Sequence, residues 1–172
     1  MSIFLVLTVI ADDKPGIVEK LAATITDHNG NWLESRMAQM AGKFAGILRI
    51  SIPEENSNHL VSALSALDSK GLLVRVETPG AHDDTAANHS LNLSVVGNDR
   101  PGIVKEVSQA LARIGVNVLE LSTSCNPAEM SAVPLFRSEA LISVPEGLAD
   151  DDISDALEAL SDDLMVEITS SK

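Results

Sequence analysis

Asp13-Lys14-Pro15-Gly16-Ile17-Val18 returns as Asp99-Arg100-Pro101-Gly102-Ile103-Val104, and Asn31 and Asn117 each follow their aspartate by 18 residues. These residue types can do binding chemistry. Gly16 and Gly102 have no Cβ, so a ligand can come close to the backbone there. A helix beginning at this turn presents N–H groups with no intrahelical acceptor and with partial positive charge, which suit a carboxylate. Asp13 and Asp99 can accept an ammonium group, and the amides of Asn31 and Asn117 supply a donor and an acceptor. Together with Pro15, Ile17, Pro101 and Ile103 around the turn, they make a candidate site for a zwitterion such as a free amino acid. A plainer reading stays open beside it, because Asp before a helix is often a cap and Asn before a strand often completes a turn.

The spacing of the repeat says what must position these groups. The offset is 86 residues and persists without a gap to Asn31-Trp32-Leu33-Glu34 over Asn117-Val118-Leu119-Glu120. That period is too long for a solenoid and suits a small domain of roughly 80 residues used twice. In the second copy Leu91, Leu93 and Val95 alternate with Ser90, Asn92 and Ser94, as in a strand with one buried face. The first copy has Ile3, Leu5, Leu7 and Val9 on one side but also Phe4, Val6 and Ile10 on the other, so both its faces are expected to be covered.

After each turn, Ile17, Val18, Leu21, Ile25 and Ile103, Val104, Val107, Leu111 form an apolar helical stripe. Proline is tolerated in a first helical turn, so these helices are expected to start at Pro15 and Pro101. Strands follow over 32–40, 44–52, 116–124 and 136–144. A second helix in each copy carries Leu60, Val61, Leu64, Leu67 or Ile153, Leu157, Leu160, the latter preceded by Asp150-Asp151-Asp152 as caps. Strands over 72–76 and 164–168 close the copies. The order strand, helix, strand, strand, helix, strand predicts an α+β chain of two ferredoxin-like βαββαβ domains, each an antiparallel four-stranded sheet with its helices on one face. The domains are expected at 1–78 and 89–172, with a linker over 79–88 rich in Pro, Gly, Asp and Ala. Small domains bury little area alone, so an extensive contact between the halves or between chains is expected. The copies differ between their middle strands, where Ala41-Gly42 is replaced by a longer segment over 126–134, either a solvated hairpin loop or a partner-binding one.

Charge and composition limit the function. The net charge is −13, with 12 Lys and Arg dispersed among 25 acids, so direct nucleic-acid binding is not expected. The single cysteine, Cys125, allows no intrachain disulfide. The apolar run from Ile3 to Ala11 imitates a signal-peptide core, but no Lys or Arg precedes it and the repeat needs it as a strand. No other run approaches about 20 apolar residues, so no membrane span and a cytoplasmic location are expected. His28, His59, His82 and His89 lack metal-ligand spacing, although His82 with Asp83 and Asp84 is a remote candidate. There is no nucleophile elbow and no phosphate-binding glycine loop, and Glu34 and Glu120 lie on strands rather than in an obvious pocket. No catalysis and no cofactor are therefore expected.

The strand, Asp-Arg-Pro-Gly-Ile-Val turn and helix resemble the ACT domain, a ferredoxin-like regulatory module that binds amino acids at subunit or domain interfaces. The resemblance covers essentially the whole chain as two copies. More narrowly, Glu34-Ser35-Arg36-Met37 with Phe44-Ala45-Gly46-Ile47-Leu48, and Glu120-Leu121-Ser122-Thr123 with Met130-Ser131 and Pro134-Leu135-Phe136, are similar to the glycine cleavage system transcriptional repressor group of tandem ACT proteins. The resemblance implies a regulator that senses a small amino acid, glycine in that group, and acts on a DNA-binding transcriptional activator protein, with a homodimer as one assembly. A noncatalytic regulatory subunit of a metabolic enzyme is the alternative, and a purely structural dimerisation module the third. Serine-sensing ACT domains hold their ligand with an Asn directly before Arg-Pro-Gly, a His two residues earlier and an Asn opening the second strand. Here those positions hold Asp13 and Asp99, Ala11 and Gly97, and Asn31 and Asn117. The missing His and the Asp in place of Asn leave the ligand's identity open.

Overall fold

Strict alternation along the first strand puts Leu5, Leu7, Val9 and Ala11 on one face, and burying that face sets the architecture of the first half. The protein is described by a computed structural model covering residues 1–80, 88–127, 129–130 and 132–171. Its elements are β1 (Ser2–Asp12), α1 (Ile17–Asp27), β2 (Asn31–Met40), β3 (Lys43–Pro53), α2 (Glu54–Ala66), β4 (Leu72–Glu77), β5 (Asn88–Asn98), α3 (Ile103–Arg113), β6 (Asn117–Asn126), β7 (Leu135–Pro145), α4 (Asp150–Glu158) and β8 (Met165–Ser170). The chain divides into two compact units, 1–82 and 83–172. Each contains one four-stranded antiparallel sheet, ordered β2-β3-β1-β4 in the first and β6-β7-β5-β8 in the second. This is the predicted α+β, ferredoxin-like fold. Most of the expected linker falls on residues 81–87, outside the described residues, as do His82, Asp83 and Asp84 and, in the longer loop, Ala128 and Ser131.

The helices cover one face of each sheet. In the first unit Leu21, Ile25, Leu60 and Leu64 pack onto Leu7, Leu48 and Ile50; in the second, Val107, Leu111, Ile153 and Leu157 pack onto Leu93, Val95 and Ile142. The helical stripes are narrower than expected, because Val18 and Val104 are exposed and Val61 is at the margin. Both faces of β1 are apolar, and the outer one is exposed in the single chain. Phe4 and Ile10 are 50% and 47% exposed, and Ile47 and Leu73 lie exposed on the same face beside them. The residues of the second sheet's outer face are more polar, with Ser94 donating to Glu139 at 2.8 Å.

Local geometry accounts for the repeat's persistence. Both β2 and β6 carry an irregularity in the same place, between Trp32 and Glu34 and between Val118 and Glu120, leaving Leu33 and Leu119 exposed. Ala41 and Gly42 have φ of 49° and 79°, the two positive values that a two-residue hairpin turn needs. The N-cap of α4 is Ala149 and not one of the three aspartates. Asp152 instead reaches back to accept the Ala149 N–H at 3.1 Å, while Asp150 and Asp151 place favourable charge in the first turn.

Gly46 is a packing constraint. A Cβ built there would stand 2.3 Å from the Arg36 carbonyl oxygen and 2.6 Å from Met37 Cγ. Gly46→Ala should lower the stability of the first unit by about 1–3 kcal/mol in denaturant unfolding. An unchanged transition midpoint would show that β2 yields without cost.

Candidate ligand site at the strand-to-helix turns

Each first helix begins one residue after its glycine. Gly16 and Gly102 are the N-cap residues, with φ of +90° and +88°, and their carbonyls accept the N–H of Lys20 at 2.9 Å and of Glu106 at 3.0 Å. The expected starts at Pro15 and Pro101 are therefore corrected by two residues. A glycine at positive φ reverses the chain before helical geometry is reached, and the proline lies in the turn that leads to it. No side chain caps either helix, so Asp13 and Asp99 are not caps. A Cβ at Gly16 would meet no atom within 4 Å. At the first turn the space above the glycine is open, whereas at the second Glu106 Oε1 would stand 4.0 Å from such a Cβ and the Ile103 N–H donates to the Arg100 carbonyl at 3.3 Å. Pro15, Gly16, Pro101 and Gly102 are exposed, Ile17 is half-buried and Ile103 is buried in the core.

The aspartates hold the turn by their backbones. Asp13 N–H donates to the Gly42 carbonyl and Asp99 N–H to the Pro134 carbonyl, both at 2.9 Å. The turn is thereby tied to the hairpin of the middle strands in both units, whatever the hairpin's length. The carboxylates have different surroundings. Asp13 borders a surface hollow of about 260 Å³ with Lys14, Gly16, Ile17, Val18 and Phe44. Asp99 instead accepts a hydrogen bond from the Cys125 thiol, which pushes the thiol's pKa up, burial adding to the effect. Cys125 has no partner cysteine, and its contact with Asp99 depends on the end of β6 lying beside the turn.

The asparagines do not join the aspartates within a unit. Asn31 pairs with Ser51, which faces Phe4 near the start of β1, whereas Asp12 pairs with Lys43 at the other end. Eight residues of β3 separate the two levels, roughly 26 Å at about 3.3 Å per residue. Asn117 pairs with Ser143 and lies equally far from Asp99. The expected convergence of Asp, Gly and Asn is corrected accordingly: β1 and β2 run parallel, and the helix between them carries the chain back, so the second strand opens at the far end of the sheet.

Charge around the turns also differs. An ion pair with Lys43 holds the Asp12 carboxyl below its ordinary value. In the second unit Arg100 makes two bonds to Glu106, at 2.9 and 2.6 Å, and holds that carboxyl low in turn. Asp163 is held low by the Ser161 hydroxyl and by the Asn98 N–H at 2.7 Å. Among the described residues no group of three or more His, Cys, Asp or Glu is placed to hold a metal, and no helix is long and apolar enough to cross a membrane.

The ACT domain family profile matches residues 3–77 and 89–170. A UPF0237 protein of Methanosarcina mazei is 30% identical over 79 residues, which are 46% of this chain and 85% of that protein. An unknown protein from Galdieria sulphuraria has a similar structure, with a TM-score of 0.86 at 25% identity and complete coverage of both chains, 100% each. A protein provisionally assigned as a glycine cleavage system transcriptional repressor has a TM-score of 0.70 at 20% identity over 99% of both chains, a likeness of fold.

The second turn is sensitive to acid. Glu106 and Asp163 have lowered folded pKa values, so their contribution to stability is complete above about pH 5. It is lost as the pH falls through those values, below about pH 4. Denaturant unfolding at pH 6 and pH 3 should therefore show a smaller acid loss for Glu106→Gln than for the parent. Equal losses would mean that the pairing adds nothing to stability.

Proposed function

This chain belongs to the ACT domain family in two tandem copies, and from that premise we propose that it is a noncatalytic, cytoplasmic regulator responsive to a small amino acid, glycine first among them. It acts through a DNA-binding transcriptional activator protein. The observation that carries this reading is the duplicated turn, where an uncapped helix start lies open beside an aspartate. The ligand's carboxylate meets the helix N–H groups at Gly16 and Ile17, with Pro15 beside them, or that of Gly102 beside Pro101, where the Ile103 N–H is already given to the Arg100 carbonyl. Its ammonium meets Asp13 or Asp99. Asp13 is the better acceptor, since Asp99 already takes the Cys125 thiol hydrogen. Asn31 and Asn117, remote within their own units, complete the site from a second copy of the chain in a homodimer. The similar fold of the provisionally assigned glycine cleavage system transcriptional repressor is consistent with a regulatory role. A net charge of −13 disfavours contact with phosphates and supports action through a protein. Ligand binding then alters the partner only through unequal affinity for the free and partnered states.

Thermal melts with each free amino acid test the sensor. One of them, glycine first, should stabilise the chain by about 2.7 kcal/mol at a hundred times its dissociation constant. Asp13→Ala should abolish the shift, and Asn31→Ala with Asn117→Ala should weaken it while leaving the unliganded melt unchanged. Silence from every amino acid, confirmed by calorimetric titration, removes the sensing role.

Electrophoretic shifts on control DNA test the route of action. The chain alone should leave the DNA unshifted at moderate salt and change the complex only when the activator is present. Sequence-specific retardation by the purified chain alone would refute the proposed route.

A further inference from the structure

Each sheet ends in a last strand with a partner on one side only. β4 pairs with β1 and β8 with β5, and among the described residues neither has a second neighbour in its sheet. The N–H and C=O groups on the open side of such a strand are a template for another strand. A hollow of about 520 Å³ lies beside β4, lined by Leu73, Val74, Arg75 and Val76 and by Val61 and Ser65 of α2. Leu73 and Arg75 point to one face of the sheet and Val74 and Val76 to the other, so a space that meets all four lies at the strand's edge.

Length, face and charge decide what fits this edge. β4 and β8 have six residues each, Leu72–Glu77 and Met165–Ser170. Laid antiparallel with full overlap, Leu72 stands opposite Ser170 and Glu77 opposite Met165. The faces then match. Val74 and Val76, on the helix side, meet Ile168 and Val166, which pack on the core of their own unit, while Leu73 and Arg75 on the outer side meet Thr169 and Glu167. Arg75 and Glu167 are both exposed, and among the described residues neither has an ion-pair partner. Opposite charges directly across two strands attract, and like charges repel. Self-pairing fits worse. A strand with an even number of residues cannot overlap fully with a copy of itself without pairing residues of opposite faces. Of the two nearest registers that keep the faces matched, one sets Arg75 against Arg75 in β4, and one sets Glu167 against Glu167 in β8.

We infer that β4 of one copy of this chain pairs with β8 of a second copy, so that the protein associates with itself through the last strands of its sheets. The pairing uses the edges opposite β2 and β6 and does not rest on the amino acid reading.

The test is the mass of the full chain in solution over a dilution series, by light scattering or sedimentation. The mass should exceed that of one chain and fall on dilution. Arg75→Glu and Glu167→Arg should each weaken the association by roughly tenfold, and the chain carrying both changes should regain it. Leu73→Cys and Thr169→Cys chains, each also carrying Cys125→Ser, should form a disulfide-linked pair when mixed under mild oxidation, and neither should do so alone. Directly opposed residues bring their Cβ atoms to about 4.5–5.5 Å, close enough for that bond after a small shift. Asn31→Ala and Asn117→Ala should leave the association unchanged, which separates failure of this pairing from failure of the ligand reading. If a charge variant fails to fold, the cysteine pair, which keeps Arg75 and Glu167 in place, decides. A chain that stays monomeric at every concentration, or an association that folded Arg75→Glu leaves unchanged, would overturn the pairing.

Discussion

A chain leaving the central strand of a sheet must turn back over that sheet within a few residues, and the rest of each unit depends on how this is done. β1 and β5 lie between two neighbours, and their ends deliver the chain to Gly16 and Gly102 at φ near +90°. An L side chain in that conformation costs about 1–2 kcal/mol, so glycine decides the direction in which the helix sets off. Once α1 and α3 lie over their sheets, Leu21 and Ile25, or Val107 and Leu111, close the core. The same reversal leaves both helix starts without a side-chain cap.

The two copies show what that turn constrains and what it leaves open. Backbone anchors are kept: the aspartate N–H reaches the middle hairpin in both units, and the strand irregularity recurs at Leu33 and Leu119. Side-chain charge is free to diverge. One turn is crowded with lysines and the other is closed by Arg100, Glu106 and Asp163. A duplicated fold has in this way produced two chemically different surfaces from one backbone.

The element order could be read from the sequence because it follows from apolar periodicity, which reports burial directly. Leu91, Leu93 and Val95 are buried as their alternation predicts, and the hairpin at Ala41-Gly42 follows from its turn residues. Less of the site was legible. The position of Asn31 depends on which way β2 runs, and residue type does not encode a distance of some 26 Å across a sheet. Exposure of Val18 and Val104 was hidden because a helical stripe does not announce its own width. The outer face of β1 was expected to be covered by another domain or subunit, since Phe4 and Ile10 are apolar, and both are exposed in the single chain. The Cys125 contact with Asp99 is long-range and leaves no local pattern.

The hydrogen bond from Asp99 to Pro134 has a mechanical consequence for the segment that precedes it. In the first unit the same donor is satisfied by Gly42, inside a hairpin of minimal length. The anchor therefore gives the helix start the same kind of backbone partner in both units, although the connection between the middle strands differs in length. A short hairpin and a long one are thus joined to turns of the same geometry, with φ of 90° at Gly16 and 88° at Gly102.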